Sequence, residues 1–66
     1  MELSRRWVVQ DRESQRFLAI DGGAVAFTPW IKEAGHFLEE DAALETALLE
    51  CTEGFTIFQF WILERN

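Results

Sequence analysis

Phe55-Thr56-Ile57-Phe58-Gln59-Phe60-Trp61-Ile62-Leu63-Glu64 is dense in aromatic and β-branched side chains and reads as a strand. Strand side chains alternate, so Phe55, Ile57, Trp61 and Leu63 share one face with Gln59, while Phe58, Phe60 and Ile62 share the other with Thr56 and Glu64. Both faces are apolar. One helix of the same chain can cover one of them; the second is curled under loops or offered to a partner. As the longest and most apolar run, this strand is expected in the middle of a sheet, beside the first strand.

Upstream, Arg5–Asp11 alternates Trp7 and Val9 against Val8 and Gln10, and Arg16-Phe17-Leu18-Ala19-Ile20 forms a second short strand. The polar run Asp11-Arg12-Glu13-Ser14-Gln15 between them predicts a β-hairpin. Asp21-Gly22-Gly23 is the strongest turn in the chain, because glycine tolerates positive φ and Asp bonds its own backbone two residues on. Ala24-Val25-Ala26-Phe27 then reads as a third, short edge strand. In Thr28–Gly35, Thr28 can cap, Pro29 suits a first helical position and Gly35 suits the left-handed residue past the end, so one or two helical turns fit. The main helix follows over Glu39–Cys51, with Ala43, Leu44, Ala47, Leu48 and Cys51 at helical spacing and Glu39, Glu40 and Asp41 at the positive end of its dipole. Thr52-Glu53-Gly54 turns the chain into the last strand. The expected fold class is α+β over a single domain, residues 1–66. A small antiparallel-rich sheet of three to four strands is covered by one main helix preceded by a short helical turn, in the order β-β-(β)-α-α-β.

With 66 residues, the chain buries only about 60% of its unfolded surface and cannot be divided further. Its single cysteine, Cys51, permits no internal disulfide, and its single histidine, His36, leaves no ordinary Cys/His zinc site. No apolar core of signal-peptide length precedes Asp11, and no apolar run approaches the roughly 20 residues needed to span a bilayer. These features predict a cytoplasmic protein with no membrane association. The net charge of −6 is uneven: nine of the twelve acids lie from Asp21 onward, opposed only by Lys32 and Arg65. Such a chain repels nucleic acid and anionic lipid and attracts a basic protein surface.

No enzyme is expected. His36 lies between Glu33 and Glu39, but a metal needs three or four converging ligands, and Cys51 has no base at motif spacing. Gly22-Gly23 lacks the Lys-Ser/Thr of a phosphate loop, and the carboxylates of the helix's first turn face water, where nothing raises a pKa for general acid work. No catalytic, cofactor or metal residue is assigned. Two features point to binding. Glu39, Glu40, Asp41, Glu45, Glu50 and Glu53 would form a negative stripe along the main helix, either an ordinary solvated face or a decoy for a basic groove that holds nucleic-acid phosphates. The nine aromatics exceed what one helix can cover, so Phe58, Phe60 and Trp61 are the expected aromatic sheet surface for a partner or a second copy.

The order of Arg16-Phe17-Leu18, Phe27-Thr28-Pro29-Trp30, Ala34-Gly35-His36-Phe37, an acidic Ala-rich helix and a terminal strand resembles small proteins of bacteria, phages and prophages. Those carry a strand ending near Thr-x-Trp, an Ala-x-x-Phe, a helix opening with acids and a last strand. Small acidic phage proteins include anti-CRISPR inhibitors of host nucleases. The resemblance therefore implies a non-enzymatic inhibitor in the host cytoplasm that occludes the basic surface of a nucleic-acid-handling complex. The alternative is a structural homo-oligomer that packs through its apolar sheet face.

Overall fold

The computed structural model describes residues 2–64, the side chain of Glu64 excepted; Arg65, expected as a counter-charge, lies outside them. Chain order is β1 (Glu2–Asp11), β2 (Phe17–Asp21), β3 (Ala24–Thr28), a 3-10 turn (Ile31–Glu33), α1 (Glu40–Glu50) and β4 (Phe55–Glu64). The four strands form one antiparallel sheet in the order β3-β2-β1-β4, an α+β fold of the expected class. The last strand does lie beside the first, but at the edge of the sheet and not in its middle. Side-chain alternation reports which faces are apolar. Edge position concerns backbone groups, and alternation carries no record of them.

Each hairpin follows from its turn. Asp21 pairs with Ala24, leaving a two-residue loop of Gly22 (φ 59) and Gly23 (φ 85), the left-handed pair that matches strand twist in a tight hairpin. Between β1 and β2 the Asp11 carboxylate accepts the Ser14 N–H at 3.0 Å and the Asp11 carbonyl accepts the Gln15 N–H at 2.9 Å, with Gln15 itself left-handed at φ 64. β1 and β2 register only at Gln10 and Phe17 and then separate. The segment Gly35–Phe37 runs into the gap. The Gly35 N–H donates to the Leu18 carbonyl at 3.0 Å, and Trp7 and Phe37 exchange two backbone bonds of 3.0 and 2.8 Å.

Two local expectations are corrected. Gly35 is not left-handed; the positive-φ glycines are Gly22, Gly23 and Gly54, and a Cβ on Gly35 would meet Ala19 Cα at an ordinary 3.6 Å. Thr28 does not cap the helical turn, whose N-cap is Trp30 with no side-chain cap bond. Instead the Thr28 hydroxyl accepts the Trp30 N–H at 3.2 Å and donates to Glu33 at 2.8 Å, tying the turn to the end of β3.

The core joins Trp7, Val9 and Leu18 of the sheet to Ala43, Ala47 and Cys51 of the helix side, with Phe37, Phe55 and Ile57 packed around them. The helix contributes only its small residues. Leu44 and Leu48, read at one helical spacing with Ala43, Ala47 and Cys51, are 42% and 62% exposed. The bulk comes from the other side: Trp7, Phe37 and Phe55 stand up from the sheet, and an alanine stripe at i, i+4 lets the helix backbone close down on them. Val8 is fully buried on the opposite face, so that face is partly covered as well. The Trp7 indole N–H is buried without a hydrogen-bond partner among the described residues, a cost of about 1–3 kcal/mol that the packing must offset.

Candidate functional site

β1 and β4 pair without interruption through ten residue pairs, from Glu2 with Glu64 to Asp11 with Phe55. At about 3.3 Å per residue such a ribbon is roughly 33 Å long, most of the molecule's 38 Å long axis. The helix core engages only one end of it, where Trp7, Val9, Phe55 and Ile57 lie. Toward Glu2 and Leu63 the ribbon stands clear. Leu3, Trp61 and Leu63 are there 64%, 54% and 53% exposed, on the same face as Arg5.

Arg5 organises that face. It stands opposite Trp61 across the ladder, and its guanidinium carbon lies 4.8 Å from the Trp61 ring centroid and 5.8 Å from that of Trp7. A cation held between two indoles covers apolar surface without burying its charge. On the other face, His36 meets Phe60 edge-on, with ring centroids 5.2 Å apart. Phe58 is exposed and Phe60 half-buried there. The aromatic surface expected of Phe58, Phe60 and Trp61 is thus divided between the two faces of the ribbon, Trp61 being with Arg5.

The acidic residues are divided too. All six of Glu39, Glu40, Asp41, Glu45, Glu50 and Glu53 are exposed. At about 100° per residue, Asp41 and Glu45 project from one side of α1, together with the exposed Leu44 and Leu48 at i+3 and i+7 from Asp41. Glu50 projects beyond the far flank of the Ala43–Ala47 stripe. Glu40 lies between that stripe and Leu44, and Glu39 and Glu53 lie outside the helix proper. One compact patch therefore emerges, Asp41-Leu44-Glu45-Leu48, flanked by Leu49 at 71% exposure. The leucines were missed as surface residues because the spacing that marks them as one face with Ala43 and Ala47 is equally the spacing of a neighbouring stripe.

Cys51 is buried, and burial followed by the nearby Asp11 charge pushes its thiol above the ordinary 9.0, which disfavours the nucleophilic thiolate. Asp11 is held below 3.8, chiefly by the Ser14 backbone N–H and then the Ser14 hydroxyl. A depression of about 370 Å³ between β2, β3 and Glu33 has three polar side chains in its lining, Asp21, Thr28 and Glu33, the last two bonded to each other. Among the described residues no three His, Cys, Asp or Glu side chains converge on a metal position, and no helix is long and apolar enough to cross a membrane. Comparison of the chain with protein-family models, with curated proteins and with solved structures returns no match.

Proposed function

We propose that this chain is a non-enzymatic protein-binding module, and that α1 is its recognition element. One observation carries the reading: Asp41, Leu44, Glu45 and Leu48 share a side of the helix at i, i+3, i+4 and i+7, with both leucines in solvent. That spacing is how an amphipathic helix lays apolar anchors into a groove, and the two carboxylates select a groove with a basic rim. No Lys or Arg lies between Lys32 and Arg65 to oppose such a rim. The finer form of the proposal is an inhibitor of phage type, acting in the host cytoplasm as an anti-CRISPR protein would, that occludes the basic surface of a nucleic-acid-handling complex. Its support is the sign and placement of charge.

The experiment is affinity capture from host-cell extract with the full chain as bait, washed at rising salt. The native chain should retain a basic protein or complex that is released as salt rises. Asp41→Lys with Glu45→Lys should abolish the salt-sensitive part, and Leu44→Ser with Leu48→Ser should abolish capture, whereas Glu39→Lys with Glu53→Lys should leave it intact. Capture indifferent to the Asp41/Glu45 and Leu44/Leu48 pairs would sink the assignment to α1.

A further inference from the structure

β4 carries a row of open backbone groups whose identity follows from the rest of the sheet. Trp7 spends its N–H and C=O on Phe37, away from β4, and the Asp11 N–H points to Arg16 on the same side. Odd-numbered residues of β1 therefore face away from β4, and even-numbered residues bond to it, as the Arg12 N–H does to the Gly54 carbonyl at the ladder's end. With Trp7 opposite Gln59 and Val8 opposite Phe58, the β4 residues bonded to β1 are Thr56, Phe58, Phe60 and Ile62. Those pointing outward are Ile57, Gln59, Trp61 and Leu63.

Arginine guards one end of the β4 edge and the stretch of β1 that β2 leaves unpaired. The Arg12 guanidinium donates to the Phe55 carbonyl at 3.3 Å, and on β1 the Arg6 guanidinium donates to the Arg5 carbonyl at 3.0 Å. Between Ile57 and Leu63 no described residue bonds to the outward groups, and the stretch holds no charge, no proline and no bulge. Natural edges of this length are usually blunted by such devices.

We infer that this edge pairs with the same edge of a second copy, antiparallel, about a two-fold axis at Phe60. The four outward residues are symmetric about Phe60. In that register Ile57 faces Leu63 of the second copy and Gln59 faces its Trp61, so every open N–H and C=O from Ile57 to Leu63 is paired and none of the guarded groups is needed. A two-fold at Gln59 would instead bring Leu63 against Phe55, whose carbonyl Arg12 already occupies. Side chains agree. Phe60 meets Phe60, Phe58 meets Ile62, and no like charges are opposed. The pairing also sets Trp61 and Leu63 beside Ile57 and Gln59 of the second copy, on the face its helix covers, which shelters the ribbon tip.

The inference is independent of the proposed role of α1, which lies on the helix and leaves the edge free.

The test is sedimentation equilibrium of the full chain, with two variants. The native chain should sediment at twice 7.7 kDa at tens of micromolar. Gln59→Pro removes an outward N–H and no bond to β1, so the fold should persist while dimer dissociation rises by about tenfold or more. Phe60→Cys in a Cys51→Ser background should oxidise to a covalent dimer, because directly opposed residues of a non-hydrogen-bonded pair have Cα atoms about 4.5 Å apart, within disulfide reach. Phe58→Cys in the same background should not, since its counterpart across the seam is Ile62. A native chain that stays monomeric at about 0.5 mM, a dimer indifferent to Gln59→Pro, or equal oxidation at positions 58 and 60 would each overturn the inference.

Discussion

The guanidinium of Arg5 lies 4.8 Å from the ring centroid of Trp61, its cross-strand partner, and 5.8 Å from that of Trp7. Arg5 is thereby the link between the helix-covered end of the β1–β4 ribbon and its exposed tip. The pairing is local on the ladder but joins residues more than fifty positions apart, so it depends on β4 having found β1.

Arg5→Ala should cost about 0.5–1 kcal/mol, the range of an exposed cation–π contact, and Arg5→Lys should cost less because the ammonium keeps the charge without the stacking plane. Urea unfolding followed by tryptophan emission reads both. Equal stability of the native chain and Arg5→Ala would show that the stacking contributes nothing.

The helix packing makes an asymmetric prediction. Ala47 is fully buried against the sheet, so Ala47→Leu forces bulk into the closest approach and should destabilise by about 1–3 kcal/mol. Leu48→Ala, one residue away and 62% exposed, should change stability by less than about 0.5 kcal/mol. The opposite ranking in thermal or urea denaturation would mean that Leu48 faces the core.

Gly35→Ala should be close to neutral, within about 0.5 kcal/mol, since a Cβ there meets Ala19 and Ile20 at ordinary contact and φ is not left-handed. Gly23→Ala, at φ 85, should cost about 1 kcal/mol although its Cβ would meet open space. Denaturant midpoints of the two variants separate steric from conformational demand.

Asp11 and Cys51 bound a pH window. The Asp11 carboxyl is held below 3.8, so its contribution to stability is present above 3.8 and is lost as pH falls through the lowered value. The Cys51 thiol is raised above 9.0, so its contribution is present below 9.0 and is lost as pH rises through the raised value. Asp11→Asn should flatten the acid limb of a plot of urea midpoint against pH, relative to the native chain, and Cys51→Ala the alkaline limb. Asp11→Asn should also speed thiol alkylation of Cys51 in mild base, because the neighbouring negative charge that disfavours the thiolate is gone. Unchanged limbs would remove the coupling between this turn and the helix end.

Much of the fold was legible because its signals are local. The Asp21-Gly22-Gly23 reversal, the acids opening α1, the alternation of Trp7 and Val9 against Val8, and the run from Phe55 to Leu63 each specify an element through backbone chemistry within a few residues. The burial of Cys51 was readable too, from its i+4 spacing to Ala47. What could not be read was which of two adjacent helical stripes would face inward. Ala43–Ala47–Cys51 and Leu44–Leu48 have the same period, and only the standing bulk of Trp7, Phe37 and Phe55 on the sheet decides that the small residues go in and the leucines stay out.

The sequence by itself determined the elements, their order, the tight reversal at Asp21-Gly22-Gly23 and the surplus of acid and aromatic side chains. The tertiary structure alone decided that Gly35–Phe37 would occupy the gap between β1 and β2, and that β4 would be an edge of the sheet. It also decided the register that sets Trp61 opposite Arg5. The physical reason is that a strand's pattern encodes its faces at a period of two, whereas its neighbours are set by backbone hydrogen bonds to segments distant in the chain, which no side-chain pattern records.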